Sequence, residues 1–186
     1  MDTRENSRKI ARSGAPDRAY RRIMSGQTAQ TELSYIAGLT RVRVAAGAVF
    51  TDDHDRVLVV FPTYKPTGEL PGGGVERDES PRAACRRELV EGLGFAPQLG
   101  DLPCVAWVPP KPPWDGGLMF LFDGGHLTPE QVRLIRLPAD ELSRFEFIAA
   151  DDLDDILKRR LARRVRACLA RRGRGAAYPG NGTDGR

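Results

Sequence analysis

The run from Leu70 to Phe95 constrains this chain more than any other stretch. It opens on Leu70-Pro71-Gly72-Gly73-Gly74, whose glycines let backbone carbonyls and amides approach an ion or a phosphate. No Gly-Lys-Ser/Thr follows, so the segment is not a Walker A loop. Ser80 has the chemistry of an N-cap, Pro81 fits the first helical position, and Gly94 suits a left-handed stop. A helix is therefore expected from residue 82 to about 92. At 100° per residue, Glu88 and Glu91 stand about 60° apart on it, and Arg87 lies about 40° from Glu91. Ala84 shares that side, while Cys85 and Leu89 begin the apolar one, where Cys85 is expected as a small core residue. Two carboxylates beside an arginine also describe a solvated helix face with an (i, i+4) ion pair. The glycine-rich loop directly before them favours another reading. Crowded carboxylates repel, and a hard divalent cation sharing oxygen ligands with substrate phosphates relieves that repulsion.

The rest of the chain reads as one domain with ragged ends. Its 186 residues are 40% hydrophobic and 29% charged, enough to bury a core without disulfides or structural metal. Cys85, Cys104 and Cys168 are odd in number and dispersed, which argues against a disulfide framework. Two histidines, His54 and His126, and no C-x-x-C motif exclude a structural zinc site; both histidines are expected exposed in turns. No apolar run approaches the roughly 18–20 residues of a membrane span, and the N-terminus lacks a secretory pattern, so a cytoplasmic protein is expected. The net charge of +4 is carried almost entirely by arginine, concentrated in residues 4–22 and 158–174. We read this as solvated basic ends; nucleic-acid binding through the helix at 158–172 is the competing class.

Residues 1–40 are polar and weakly patterned, an arm expected to be partly disordered or accessory, with room for a short helix at 17–24 and for a role in a homodimer. Strands are expected at 41–50 and 56–61, paired as a hairpin, then at 102–108, 118–122 and 141–148. Between the first pair and the helix runs a long polar loop, 62–79. A proline-rich segment, 109–117, joins the next two strands. Leu153, Leu157, Leu161, Val165 and Leu169 recur at four-residue spacing, so one or two amphipathic helices should pack on the domain at 151–172. Residues 173–186 form a glycine-rich tail, expected to be disordered. There is no internal repeat. The order of elements spells mixed α/β or α+β.

Gly73, Glu79, Arg87, Glu88, Leu89, Glu91, Gly94 and, loosely, Phe95 stand at the spacings of the Nudix box. That box is Gly, five residues, Glu, seven residues, Arg-Glu, an aliphatic, any residue, Glu-Glu, any residue, Gly and an aliphatic. The chain thus resembles the Nudix hydrolase family, and the elements over 41–170 follow the family's order. One position departs, because Gly92 stands where the second Glu of the Glu-Glu pair belongs.

The resemblance implies an α/β/α sandwich around a mixed β-sheet. It implies Mg²⁺- or Mn²⁺-dependent hydrolysis of a small-molecule nucleoside diphosphate derivative. Glu88 and Glu91 would be metal ligands or the water-activating base, with the Gly72 carbonyl as a backbone ligand. Glu79 would orient Arg87, which braces the glutamates. Glu141 is the favoured stand-in for the missing glutamate, ahead of Asp115 and Asp123. Gly73, Gly74, Lys65, Arg77 and Lys111 are candidates to hold phosphates, and Trp114 or Trp107 to stack on a base; surface charge and core packing are the alternatives. The box does not report the group attached to the diphosphate. Oxidised nucleoside triphosphates, ADP-ribose, nucleotide sugars, dinucleoside polyphosphates and isoprenoid diphosphates all stay open. A weak or inactive relative that binds a nucleotide or RNA without cleaving it is the alternative that Gly92 raises.

Overall fold

The computed structural model describes residues 29–174, and the backbone alone for 29–31. The helix expected at 17–24 and the tail beyond Arg174 lie outside the described residues. The chain divides into two units, Met1–Arg41 and Val42–Arg186. In the first, helix α1 (Ala29–Ala37) ends where the Gly38 amide donates to the Ser34 and Tyr35 carbonyls at 3.2 and 3.0 Å. The sequence reading places no element there.

The second unit runs β1 (Arg43–Thr51), β2 (Val57–Pro62), β3 (Gly72–Gly74), α2 (Pro81–Leu93), β4 (Cys104–Val108), β5 (Gly117–His126), α3 (Pro129–Leu134), β6 (Leu142–Ile148), α4 (Leu153–Ile156) and α5 (Arg159–Arg171). Its strands form one mixed sheet in the order β4-β5-β1-β2-β6, with β3 paired to β1. β1 lies parallel to β5 along its whole length, and the other pairings are antiparallel. The expected β1–β2 hairpin is met at Thr51↔Val57 alone. Beyond that pair β2 follows β6 from Val57↔Ile148 to Pro62↔Leu142. The turn brings the strands together, but side-chain burial binds β2 to a partner far along the chain.

Alternating side chains of β1 feed two cores, as the period of two demands. Ala46, Ala48 and Phe50 face α2, where Ala84, Cys85, Leu89 and Leu93 are fully buried. Val49 faces the opposite layer with Val57, Val59 and Phe61 of β2, against Leu153 of α4 and Ala162, Val165 and Cys168 of α5. β2 is covered on both sides, so all six of its residues are buried. The expected leucine stripe closes this second layer, with Leu161 and Leu169 partly buried at its border. The result is an α/β/α sandwich around a mixed sheet.

Helix α2 forms as its sequence dictates. The Ser80 hydroxyl accepts from the Ala83 amide at 3.2 Å, Pro81 opens the helix, and Gly94 ends it at φ 80° with its amide donating to the Val90 carbonyl at 3.0 Å. Burial pushes the Cys85 thiol up to about 12, as fits an inert core residue. Among the described residues all three cysteines are free and buried, and no helix is long and apolar enough to cross a membrane.

Candidate active site

The site arises where β1 cannot keep a single partner. One edge of β1 belongs to β5. The other is shared, with β3 on Ala45, Ala46 and Gly47, and β2 arriving at Thr51. The chain between β2 and β3 fills the gap. It folds back on β2 through the reciprocal Val60–Glu69 bonds at 2.9 and 2.8 Å, and on β1 through the Ala48 amide to the Pro71 carbonyl at 3.0 Å. Gly72 sits at φ 141°, and a Cβ there would fall onto the Ala46 carbonyl and the Gly47 Cα. A Cβ on Gly73 would fall onto the Glu88 carboxylate. These two positions need glycine so that backbone can lie against backbone, and a carboxylate against both.

Arg87 organises the acids. Its Nε and Nη2 donate to Glu79 at 3.2 and 3.1 Å, its Nη1 to Glu88 at 2.9 Å and Glu91 at 3.1 Å, and its Nη2 also to the Gly74 carbonyl at 2.9 Å. The bond from Arg87 holds the Glu79 carboxyl below its ordinary value, with help from the Glu76 amide at 3.2 Å. The bonds to Glu79 and then Glu88 raise Arg87 in turn. Glu79 thus aims the guanidinium, and the guanidinium aims two carboxylates at the glycyl edge. Glu88 is the more sheltered at 21% exposure, against 56% for Glu91.

Of these groups Glu88 and Glu91 line one cavity of about 300 Å³, walled also by Gly72, Gly73, Gly74 and Glu141, with Tyr64 at its exposed margin. Glu141 is held at the rim because its carbonyl accepts from the Thr63 amide at 2.8 Å. Gly92 also lines the cavity, and a Cβ there would meet Leu142 Cδ1 at 3.7 Å, an ordinary contact. Among the described residues no three His, Cys, Asp or Glu side chains form a ready-made metal cage. The donors present are hard oxygens: two adjacent carboxylates, a third at the rim and glycyl carbonyls. Such a set fits a Mg²⁺ ion that draws its remaining ligands from water and substrate phosphates.

Other sequence candidates sit elsewhere. Asp115 gives its carbonyl to Arg43, and Asp123 pairs with Arg172 at 3.0 Å; neither lines this cavity. Lys65 is ion-paired to Glu69, and Lys111 is tied through its backbone to Trp114. Arg77 and Trp114 line a separate cavity of about 780 Å³ that shares only Gly74 with the first. There the Arg43 guanidinium lies 4.6 Å from the Trp114 ring centroid. Trp107 is half-buried against Gly116. Sequence reasoning missed Tyr64, whose signal was an aromatic inside a polar loop leading to the glycines.

Known proteins resemble this chain in part of its sequence and in its fold. An RNA pyrophosphohydrolase from Roseobacter denitrificans is 43% identical over 49 residues, which is 25% of this chain and 31% of that protein, so the match spans about a third of the relative. The MutT protein of Methanosarcina mazei Go1 has the same fold, with a TM-score of 0.60 at 17% identity over 73% of this chain and 99% of that one. For a MutT NUDIX hydrolase from Burkholderia pseudomallei the TM-score is 0.57 at 23% identity, over 69% and 98%. The NUDIX domain model matches residues 41–171, from just before β1 to the last residue of α5. With the whole sandwich inside that match, the chain belongs to the NUDIX domain family.

Proposed function

We propose that this protein hydrolyses the pyrophosphate bond of a nucleoside diphosphate derivative, with Mg²⁺ or Mn²⁺ held by Glu88, Glu91, the Gly72 carbonyl and Glu141. One observation carries the reading. The Glu88 and Glu91 carboxylates converge on the Gly72–Gly74 edge in one cavity, fixed there by Arg87 and Glu79. When bound, the cation offsets phosphate charge and makes water a better nucleophile at neutral pH. The protein does the rest. Glycyl backbone at β3 receives the diphosphate without side-chain obstruction. Arg87 occupies one oxygen each of Glu88 and Glu91, leaving their other oxygens either to ligate the cation or to take a proton from water. Water attacks phosphorus, the bridging P–O bond breaks, and a phosphate-bearing group departs.

Gly92 supports a second reading, binding without turnover, because it withholds a carboxylate from the cavity wall. A product screen separates the two. Nucleotide sugars, ADP-ribose, dinucleoside polyphosphates, oxidised nucleoside triphosphates and, from the likeness to an RNA pyrophosphohydrolase, 5′-phosphorylated RNA are each incubated with Mg²⁺ or Mn²⁺ and resolved by chromatography. Slow cleavage of one class, abolished in Glu88→Gln and Glu91→Gln, is the expected result. No product from any class with either metal rejects the hydrolase.

A further inference from the structure

Arg164 is the one charged side chain buried among the described residues, 6% exposed on the side of α5 that meets the sheet. A guanidinium taken out of water is costly unless an anion or enough acceptors receive it. Its Nη2 donates to the Trp107 carbonyl at 2.7 Å, and its Nη1 lies 4.0 Å from the Met119 sulfur. No carboxylate among the described residues pairs with it. Burial pulls Arg164 below its ordinary value, and the group that opposes this is the Cys104 thiol. The charge that the core holds without a carboxylate therefore sits beside a sulfur.

That sulfur has a second sulfur next to it. Cys104 and Ala106 alternate onto the face of β4 that meets α5, while Arg164 and Cys168 stand one helical turn apart on the buried side of α5. Far apart in the chain, the Cys104 and Cys168 thiols are hydrogen-bonded to each other. This contact, aided by Arg164, holds Cys104 below its ordinary value against the effect of burial. The same contact and burial push Cys168 up. Asp123 and Arg172, the charged groups nearest Cys168, are paired with each other at 3.0 Å. Cys85 is the contrast within the same chain, alone in the opposite core and pushed up to about 12 by burial. Cys104 opens β4 and Cys168 lies in the last turn of α5. Element ends open more readily than element middles, which gives a small oxidant a route to both sulfurs.

We propose that Cys104 and Cys168 are an oxidisable pair, which a hydroperoxide converts to a disulfide tying α5 to β4, with Arg164 as the buried counter-charge of the Cys104 thiolate. The Cys104 sulfur attacks the O–O bond of hydrogen peroxide and takes one oxygen as a sulfenic acid, while hydroxide leaves and gathers the proton that the thiol gave up. The Cys168 sulfur then attacks the Cys104 sulfur, the S–O bond breaks, and the second oxygen departs as water carrying the Cys168 proton. Two thiols lose two electrons to one peroxide, giving one disulfide and two waters. The pair lies across the sheet from α2, so this reaction does not depend on the proposed hydrolysis.

The test treats the reduced full chain with hydrogen peroxide, blocks the remaining thiols by alkylation in denaturant, and maps the peptides by mass spectrometry. A bridged Cys104–Cys168 peptide, reversed by dithiothreitol, is expected to accumulate at least about tenfold faster than Cys85 is lost. In Cys168→Ser the sulfenic acid has no partner, so a dimedone probe should label Cys104. Arg164→Met should slow bridging about tenfold, with Arg164→Lys keeping most of the rate. Three thiols still open to alkylation after peroxide, loss of Cys85 as fast as Cys104, or no dimedone label in Cys168→Ser each overturns the pair. Bridging in Arg164→Met at the parent's rate overturns the role of the buried charge.

Discussion

Replacing Gly92 by glutamate tests whether the cavity is built for a cation. On α2 the new side chain would stand about 40° from Glu88, and its Cβ would meet Leu142 Cδ1 at 3.7 Å, so it enters without displacing backbone. Without metal, three effects oppose one another. Glycine in a helix costs about 0.5 kcal/mol more than glutamate, which the substitution recovers. A negative charge in the last turn of a helix costs about 0.3–1 kcal/mol. A third carboxylate also joins Glu88 and Glu91, whose nearby cation, Arg87, already serves three acids. The metal-free variant should therefore be no more stable than the parent. With a divalent cation the sign reverses. An added anionic oxygen ligand that tightens binding tenfold contributes about 1.4 kcal/mol at saturating metal. Urea unfolding in chelator and in Mn²⁺, with titration calorimetry for the metal itself, reads both halves. Gly92→Gln is the control, gaining the helix propensity but not the metal-dependent increment. If Mn²⁺ stabilises Gly92→Glu no more than it stabilises the parent, the carboxylates do not form a cation site and the reasoning fails.

Two further substitutions probe the same machinery. Gly73→Ala places a methyl on the Glu88 carboxylate, so activity should fall about a hundredfold, while unfolding free energy in urea stays within about 1 kcal/mol of the parent. A large loss of stability instead would mean that Gly73 serves the fold and not the site. Glu79 is held below its ordinary value by Arg87, so its contribution to stability is complete at neutral pH and is lost as pH falls through the folded-state value. Glu79→Gln should flatten that acid-side decline in unfolding free energy, and an equally steep decline would show that the Glu79–Arg87 contact contributes nothing.

What the sequence made legible was local. Ser80, Pro81 and Gly94 bracketed α2 to within a residue, because caps act through neighbours along the chain. The box spacing, through the family resemblance, also singled out Glu79, Glu88 and Glu91, and all three carboxylates gather on the Arg87 guanidinium. Non-local features were hidden. Three consecutive glycines have poor strand propensity, yet β3 exists because β1 offers its edge at Ala45, Ala46 and Gly47. β5 runs on through Gly124 and Gly125 to His126 because β1 beside it continues to Thr51. Helix α3 was readable and was overlooked. Thr128 and Gln131 form a capping box, the hydroxyl accepting from the Gln131 amide at 3.3 Å and the Gln131 side chain from the Thr128 amide at 2.9 Å. Among the candidate stand-ins for the missing glutamate, the family resemblance favours Glu141, but residue type and spacing alone do not separate it from Asp115 or Asp123; the cavity wall holds Glu141 and neither of the others. That depends on β2 pairing with β6, which carries residue 141 to the end of β2.

The divided edge of β1 explains why the box alone leaves the substrate open. A three-residue strand and a partner that departs at Thr51 leave a gap that regular pairing cannot close. The chain from Thr63 to Pro71 closes it by bonding to β2 at Val60, to β1 at Ala48 and to the α4 end at Ile156. That one loop therefore runs into the glycyl edge, presents Tyr64 to the cavity and meets Leu157 just ahead of α5. Its anchors are backbone hydrogen bonds, which tolerate many side chains, whereas the acids on α2 are fixed through a guanidinium that tolerates few. The acids and the opposite wall of the cavity are thus held by separate means, a guanidinium on one side and loop backbone on the other. Under the proposed function, substitution of Tyr64 is expected to change substrate preference while Arg87 and its three carboxylates stay in place, which a product screen of Tyr64→Ala against the parent checks.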